Sequence, residues 1–230
     1  AIVFFVFVVW VFLYREAPKT VDRTKSPHAT QNQSIPRTIR LLLGHRNLQL
    51  LLIFACGFFA LNHGLISWLP TLLEEAGFSL ASAGTWVAVS TICGLLTTIA
   101  IPRLAKIGTL RRILVILLMI TTAGLFLMVL LNLNGLIVLC IITTMARAPL
   151  LPLTMLLLMN DPNLSSKHIG TSAGLLFSAG EIGGFFGPAI IGVVREQTGS
   201  LVAALFGLVI LSAIMIFVVK RVAEDAPNRT

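Results

Sequence analysis

The chain has 230 residues, of which 57% are hydrophobic and only 11% charged, with a mean hydropathy of +0.95; a soluble domain of this length cannot keep that composition in water. The net charge of +8 does not point to nucleic acid, because the basic residues fall between apolar runs, where membrane orientation and anionic headgroups account for them. Cys56, Cys93 and Cys140 all lie inside apolar runs without disulfide or metal-ligand spacing, so they read as small buried side chains and no metal or other cofactor is expected.

Ala1 to Tyr14 is as apolar as a membrane span, but at 1.5 Å per residue it reaches only about 21 Å. A secretory signal peptide needs a basic start and a small-residue cleavage site, and Val11-Phe12-Leu13-Tyr14-Arg15 offers no such site. Residues 1–14 are therefore expected to be the C-terminal remnant of a preceding transmembrane helix, and the chain the C-terminal piece of a longer protein. Residues 15–47 form the long hydrophilic segment. Pro18, Pro27 and Pro36 among Ser, Thr, Gln and Asn predict a cytoplasmic linker. At its end Ile35, Ile39, Leu42 and Leu43 alternate with Arg37, Arg40, His45 and Arg46, which fits either a short interfacial helix or a basic juxtamembrane stop.

Six runs then reach the roughly 20 apolar residues that a helix needs to cross about 30 Å of hydrocarbon. They are Leu48 to Leu69, Ala81 to Ile101, Ile113 to Leu131, Leu136 to Leu158, Ile169 to Val194 and Leu201 to Val219. The expected organisation is thus a bundle over 48–219 followed by a cytoplasmic tail at 220–230. Lys and Arg fix its orientation. They concentrate at 15–47, 103–112, 159–168 and beyond 220, while the alternate gaps carry Arg195 alone. Short basic loops stay inside, so the C-terminus is expected in the cytoplasm of a cell whose plasma (inner) membrane holds the protein.

The spans differ in polarity. Those at 113–131 and 201–219 hold only Thr121, Thr122 and Ser212 as polar side chains and can face lipid. Those at 48–69, 136–158 and 169–194 carry Asn62, His63, Arg147 and Glu181, and the span at 81–101 carries a scatter of Ser and Thr; these four are expected to enclose something polar. Arg147 lies about 16 Å from the outer end of its span and Glu181 about 18 Å from the inner end of its own, so both fall near the midplane. Each costs about 2.5 to 3.5 kcal/mol if isolated there. They either pair, as a salt bridge that fixes packing, or line a wetted cavity. Pro149 and Pro152, each removing a backbone donor, favour the cavity, since broken backbone at that depth is tolerated only inside protein or against water. Thr143, Arg147 and Thr154 share a helical face, a polar stripe able to hold an anion. His63 fits a hydrogen-bonded packing residue or a proton carrier. Trp68 and Trp86 fit an interfacial belt or the rim of a solute path.

Glycine gathers in the fifth full span. Among Gly170, Gly174, Gly180, Gly183, Gly184, Gly187 and Gly192, spacings of three and four include Gly170-x-x-x-Gly174, Gly180-x-x-x-Gly184 and Gly183-x-x-x-Gly187, and Pro188 directly follows Gly187, a pattern that lets helices approach closely and move. No metal-binding His pair, paired aspartates or Gly-x-Ser-x-Gly turn is present in the spans, so an enzyme is not expected.

The whole chain resembles the C-terminal half of a major facilitator superfamily transporter. The resemblance rests on this layout, on the turn Leu104-Ala105-Lys106-Ile107-Gly108-Thr109-Leu110-Arg111-Arg112, and on Gly180-Glu181-Ile182-Gly183-Gly184-Phe185-Phe186-Gly187-Pro188. His63 to Pro70 followed by Glu74-Glu75 is similar to the cyanate and nitroimidazole branch and other small organic anion carriers. Lys106 stands where the family's loop carries an acid, which places the loop's gating role in question. The resemblance implies an all-α membrane protein: six complete transmembrane helices, a truncated first one, and an absent N-terminal six-helix half that closes a central cavity. It also implies secondary active transport by alternating access, as a symporter or antiporter. Arg147, Asn62, His63 and Thr143 would contact a small, anionic solute; Glu181, Pro149, Pro152, Gly184 and Gly187 would couple and gate; Lys106, Gly108, Arg111 and Arg112 would form the cytoplasmic loop. Drug or cation efflux through Glu181, and a non-transporting sensor or subunit, remain as alternatives. Lipid and solute are the expected partners.

Overall fold

In hydrocarbon every backbone N–H and C=O must be satisfied within the chain, so a long apolar sequence has the helix as its only open-ended solution. A computed structural model describes residues 35–106, 108–130 and 133–224 of the chain, and among these there is no strand. The remnant expected at 1–14, most of the linker and the end of the tail lie outside the described residues. The helices are α1 (Ile35–Leu43), α2 (Arg46–Glu75), α3 (Leu80–Leu104), α4 (Leu110–Leu130), α5 (Leu133–Arg147), α6 (Leu150–Met159), α7 (Ile169–Thr198) and α8 (Leu201–Lys220). α5 and α6 together make one span, so the described residues contain six helices long and apolar enough to cross a membrane.

Helix ends follow local chemistry. Ser79 and Ser200 cap α3 and α8, their side chains accepting from Ser82 N and Val202 N. Gly199 closes α7 with φ of 68°, a left-handed conformation open to glycine at little cost. Two spans run further than the apolar runs indicate: α2 continues through Pro70 to Glu75, and α7 ends at Thr198 rather than Val194. Another is broken. Pro149 has no N–H to give Met145 O, and the Thr97 hydroxyl of α3 donates to that carbonyl instead at 2.8 Å. The break between α5 and α6 is therefore satisfied from the neighbouring helix.

Packing is organised around α2. Its most extensive contact is with α7; it also packs against α3, α6 and α8, while α4 packs against α5 and α8. The apolar interior is split into two clusters. One, toward the basic gaps, joins Leu48, Leu51, Phe54, Leu110, Leu114, Leu150, Leu153 and Val219; the other joins Leu61, Leu65, Leu69, Leu125, Leu136, Leu205 and Ile191. Between them the buried residues include Thr121, Thr143, Arg147 and Ser212. Thr122 and Ser212, on the two helices expected to face lipid, turn inward and hydrogen-bond to each other at 2.7 Å, while Ile116, Met119, Phe206, Ile210 and Phe217 cover the outer faces.

The basic end is tied by the segment after α8. The Glu224 carboxylate accepts from Gly108 N at 3.0 Å, Leu110 N at 2.8 Å and Arg111 N at 3.1 Å, and Arg111 donates to Val222 O at 3.1 Å. A carboxylate is thereby set against the positive N-terminus of α4, in a turn whose own charges are all basic. Gly108, at φ of 91°, lets the backbone N–H groups converge on it. Asn47, at the start of α2, donates to Asp161 Oδ2 at 2.5 Å and accepts from Ala223 N at 2.8 Å.

Candidate functional site

Arg147 ends α5, immediately before the proline break, and is 4% exposed. Its Nη1 donates to the backbone and side-chain oxygens of Asn62 on α2. Its Nε is buried with no partner. The cation is thus held by a neutral amide, not by a carboxylate, and keeps unused donors.

Beside it lies a cavity of about 220 Å³ between α2, α3 and α5. Asn62 and Ile66 line it from α2, Ser90, Thr91, Gly94 and Thr98 from α3, and Thr144, Arg147 and Ala148 from the break. Among the described residues that line it, Arg147 carries the only charge. Gly94 brings α3 close to the break: a Cβ there would stand 3.0 Å from Thr144 Cγ2 and 3.2 Å from Ala148 Cβ. Pro152 cannot supply the helical donor to Ala148 O, which leaves that carbonyl at the cavity-lining residue without its usual partner.

The four residues expected to contact solute separate in the structure. Asn62 and Arg147 come together at the cavity. Thr143 does not line it: its hydroxyl occupies the space a side chain at Gly124 of α4 would fill, and has no hydrogen-bond partner. Thr144, the next residue, takes the cavity side. His63 packs toward α7, its ring 5.5 Å from Phe59 and its Nδ1 2.9 Å from where a Cβ on Gly184 would lie.

Glu181 makes no hydrogen bond or ion pair with Arg147 among the described residues, so of the two arrangements open to the pair the salt bridge is not formed, and Arg147 is held by Asn62 instead. The reason is lateral: the guanidinium meets the Asn62 oxygens of α2, and equal depth does not bring the side chains of α5 and α7 together. Glu181 is exposed on the face of α7 turned away from α2, in line with Gly174 and Ser178. Gly183 and Gly187 lie against the backbone carbonyls of Cys56 and Ala60, and Gly180 against the Phe59 ring. At the far end of the same pair of helices, Arg195 donates to Glu75 Oε1 at 2.9 Å from Nη2 and sits 5.3 Å over the Trp68 ring. Trp68 in turn donates to Pro188 O at 3.0 Å, so it belongs to the α2–α7 seam. Of the loop residues, Lys106, Arg111 and Arg112 are exposed, and Arg111 joins the Glu224 contact.

Sequence reasoning passed over Ser90, Thr98 and Thr144. Ser90, Gly94 and Thr98 recur every fourth residue, so the signal was one small, polar face of α3.

Comparison with known proteins adds three findings. Residues 1–188 match the family described as the Major Facilitator Superfamily. No curated protein sequence matches the chain. Among solved structures, the chain is similar to a variant of the E. coli fucose:proton symporter FucP, with a TM-score of 0.69 at 14% identity, over 96% of this chain and 53% of that one. The chain therefore spans about half the length of that symporter, and at this identity the likeness is one of fold.

Proposed function

The chain belongs to the Major Facilitator Superfamily, and from that premise we propose that it forms the C-terminal half of a secondary active transporter for a small organic anion. A second six-helix half of the same polypeptide completes the cavity, and the two rock against each other in alternating access. The protein sits in the plasma (inner) membrane with the end of this chain in the cytoplasm, as the alternation of basic gaps requires.

One observation carries the anionic solute: a buried guanidinium beside a cavity, whose partner is a neutral amide and whose Nε has none, on a span whose residue count sets it near mid-membrane. A cation at that depth without a counter-ion is costly, and an anion entering the cavity supplies what the fold leaves out. A cation-efflux reading needs the reverse, a carboxylate at the cavity. The test is uptake of radiolabelled monocarboxylates by proteoliposomes holding the intact polypeptide. Saturable uptake that other small carboxylates inhibit and tetraphenylphosphonium does not is the expected result; transport of the lipophilic cation with no carboxylate flux would overturn it.

Glu181 is assigned to proton coupling in the same proposal, because it is the mid-span carboxylate of the α7 face that α2 leaves uncovered. His63 is the other titratable group at this level of the seam. With Glu181→Gln, solute exchange across the membrane should persist while accumulation driven by a pH gradient disappears. Unaltered pH dependence in that variant would remove Glu181 from the coupling step.

A further inference from the structure

The hydroxyls of α3 divide the chemistry of the cavity wall. Ser90 Oγ donates to Trp86 O at 2.8 Å, Thr91 Oγ1 to Val87 O at 2.8 Å and Thr98 Oγ1 to Gly94 O at 2.9 Å. Each hydroxyl has a single proton and each has spent it on the carbonyl one turn back, which is the low-energy arrangement for Ser and Thr in a helix lacking water. What remains on these oxygens is lone pairs. Opposite them, Arg147 has only donors to offer. The cavity therefore presents donors with a positive charge at one wall and acceptors at the other.

We infer that the solute of this site is a hydroxycarboxylate: its carboxylate pairs with Arg147, and its hydroxyl groups donate to the oxygens of Ser90, Thr91 and Thr98. The inference rests on the anion reading given above and narrows it. A dicarboxylate or a phosphate would bring a second set of acceptors against the α3 wall, lone pair against lone pair. An amino acid would bring an ammonium into a cavity whose one charge is already positive. A plain alkyl carboxylate would satisfy Arg147 and leave the three oxygens without a donor. Ala148, whose carbonyl Pro152 deprives of a donor, is a further acceptor-bearing residue of the lining.

The experiment is paired competition in proteoliposomes with the intact polypeptide: lactate against propionate, glycolate against acetate and gluconate against hexanoate. Succinate and alanine are added as the excluded classes. Each hydroxylated member should compete about tenfold better than its partner, the effect of one hydrogen bond to an otherwise unpaired buried acceptor. Succinate and alanine should be the weakest. Thr98→Val, which keeps the side-chain shape, and Ser90→Ala should each narrow the gap between the hydroxylated member and its partner. Equal competition within all three pairs overturns the hydroxyl assignment while leaving the anion site standing. Preference for succinate or alanine overturns it as well. Failure of every carboxylate to compete removes the anion reading itself, and the hydroxyl assignment with it.

Discussion

Replacing Arg147 with Met is expected to lower carboxylate uptake by about 100-fold or more while leaving the fold in place. The first half follows from hydrogen bonds to a charged group, about 1.5 to 3 kcal/mol each, of which a carboxylate on a guanidinium makes two. The second half follows from two opposing terms. Removing an unpaired cation from mid-membrane recovers about 2.5 to 3.5 kcal/mol on insertion scales. Leaving the Asn62 side-chain oxygen without its donor costs about 1 to 3 kcal/mol. The balance runs from a loss of about 0.5 to a gain of about 2.5 kcal/mol, so the melting temperature of the detergent-purified protein should fall by no more than about 2 °C. Arg147→Lys keeps the charge and loses the fork, and an intermediate loss of about tenfold is expected. A packing role predicts the opposite pair of results, full transport with a large fall in melting temperature, and that outcome would remove Arg147 from the binding site.

How much of this was legible in the chain depends on which coordinate is asked for. Depth was readable, because a helix advances 1.5 Å per residue and the ends of each run are marked by Pro, Gly, Asn or charge. That is enough to put Arg147 and Glu181 at one level. Azimuth and lateral order were not. Counting from the ends of two spans does not reveal that Arg147 turns toward α2, where its partner is Asn62 and not Glu181. Neighbouring residues on a helix point 100° apart, which is why the choice between Thr143 and Thr144 turns on where Gly124 of α4 packs. The stripe of Thr143, Arg147 and Thr154 assumed one straight helix, and Pro149 breaks it. Thr122 and Ser212 show the same limit from another side: both are sparse polar residues on apolar spans, and only the pairing of α4 with α8 turns them toward each other.

The glycine run was legible as a packing surface, and the structure supplies the partner that sets its energetics. Gly183 faces the carbonyl of Cys56 and Gly187 that of Ala60, so a Cβ at either position meets backbone, which cannot rotate away as a side chain can. Gly183→Ala must push α2 and α7 apart along the most extensive contact of the bundle. Overpacking of that kind costs about 1 to 3 kcal/mol, and Gly183→Val more, read as a fall in melting temperature of the intact protein in detergent. Gly207→Ala on α8 is the control, because a Cβ there meets nothing within 4 Å; it should be neutral or raise stability by up to about 1 kcal/mol through helix propensity alone. The Gly183→Ala/Gly187→Ala pair should be less damaging than the sum of its members. The two sites share one seam, so the separation forced by the first methyl already makes room for the second. Strict additivity would mean that each methyl is absorbed locally, and that α2 and α7 do not move as rigid bodies against each other.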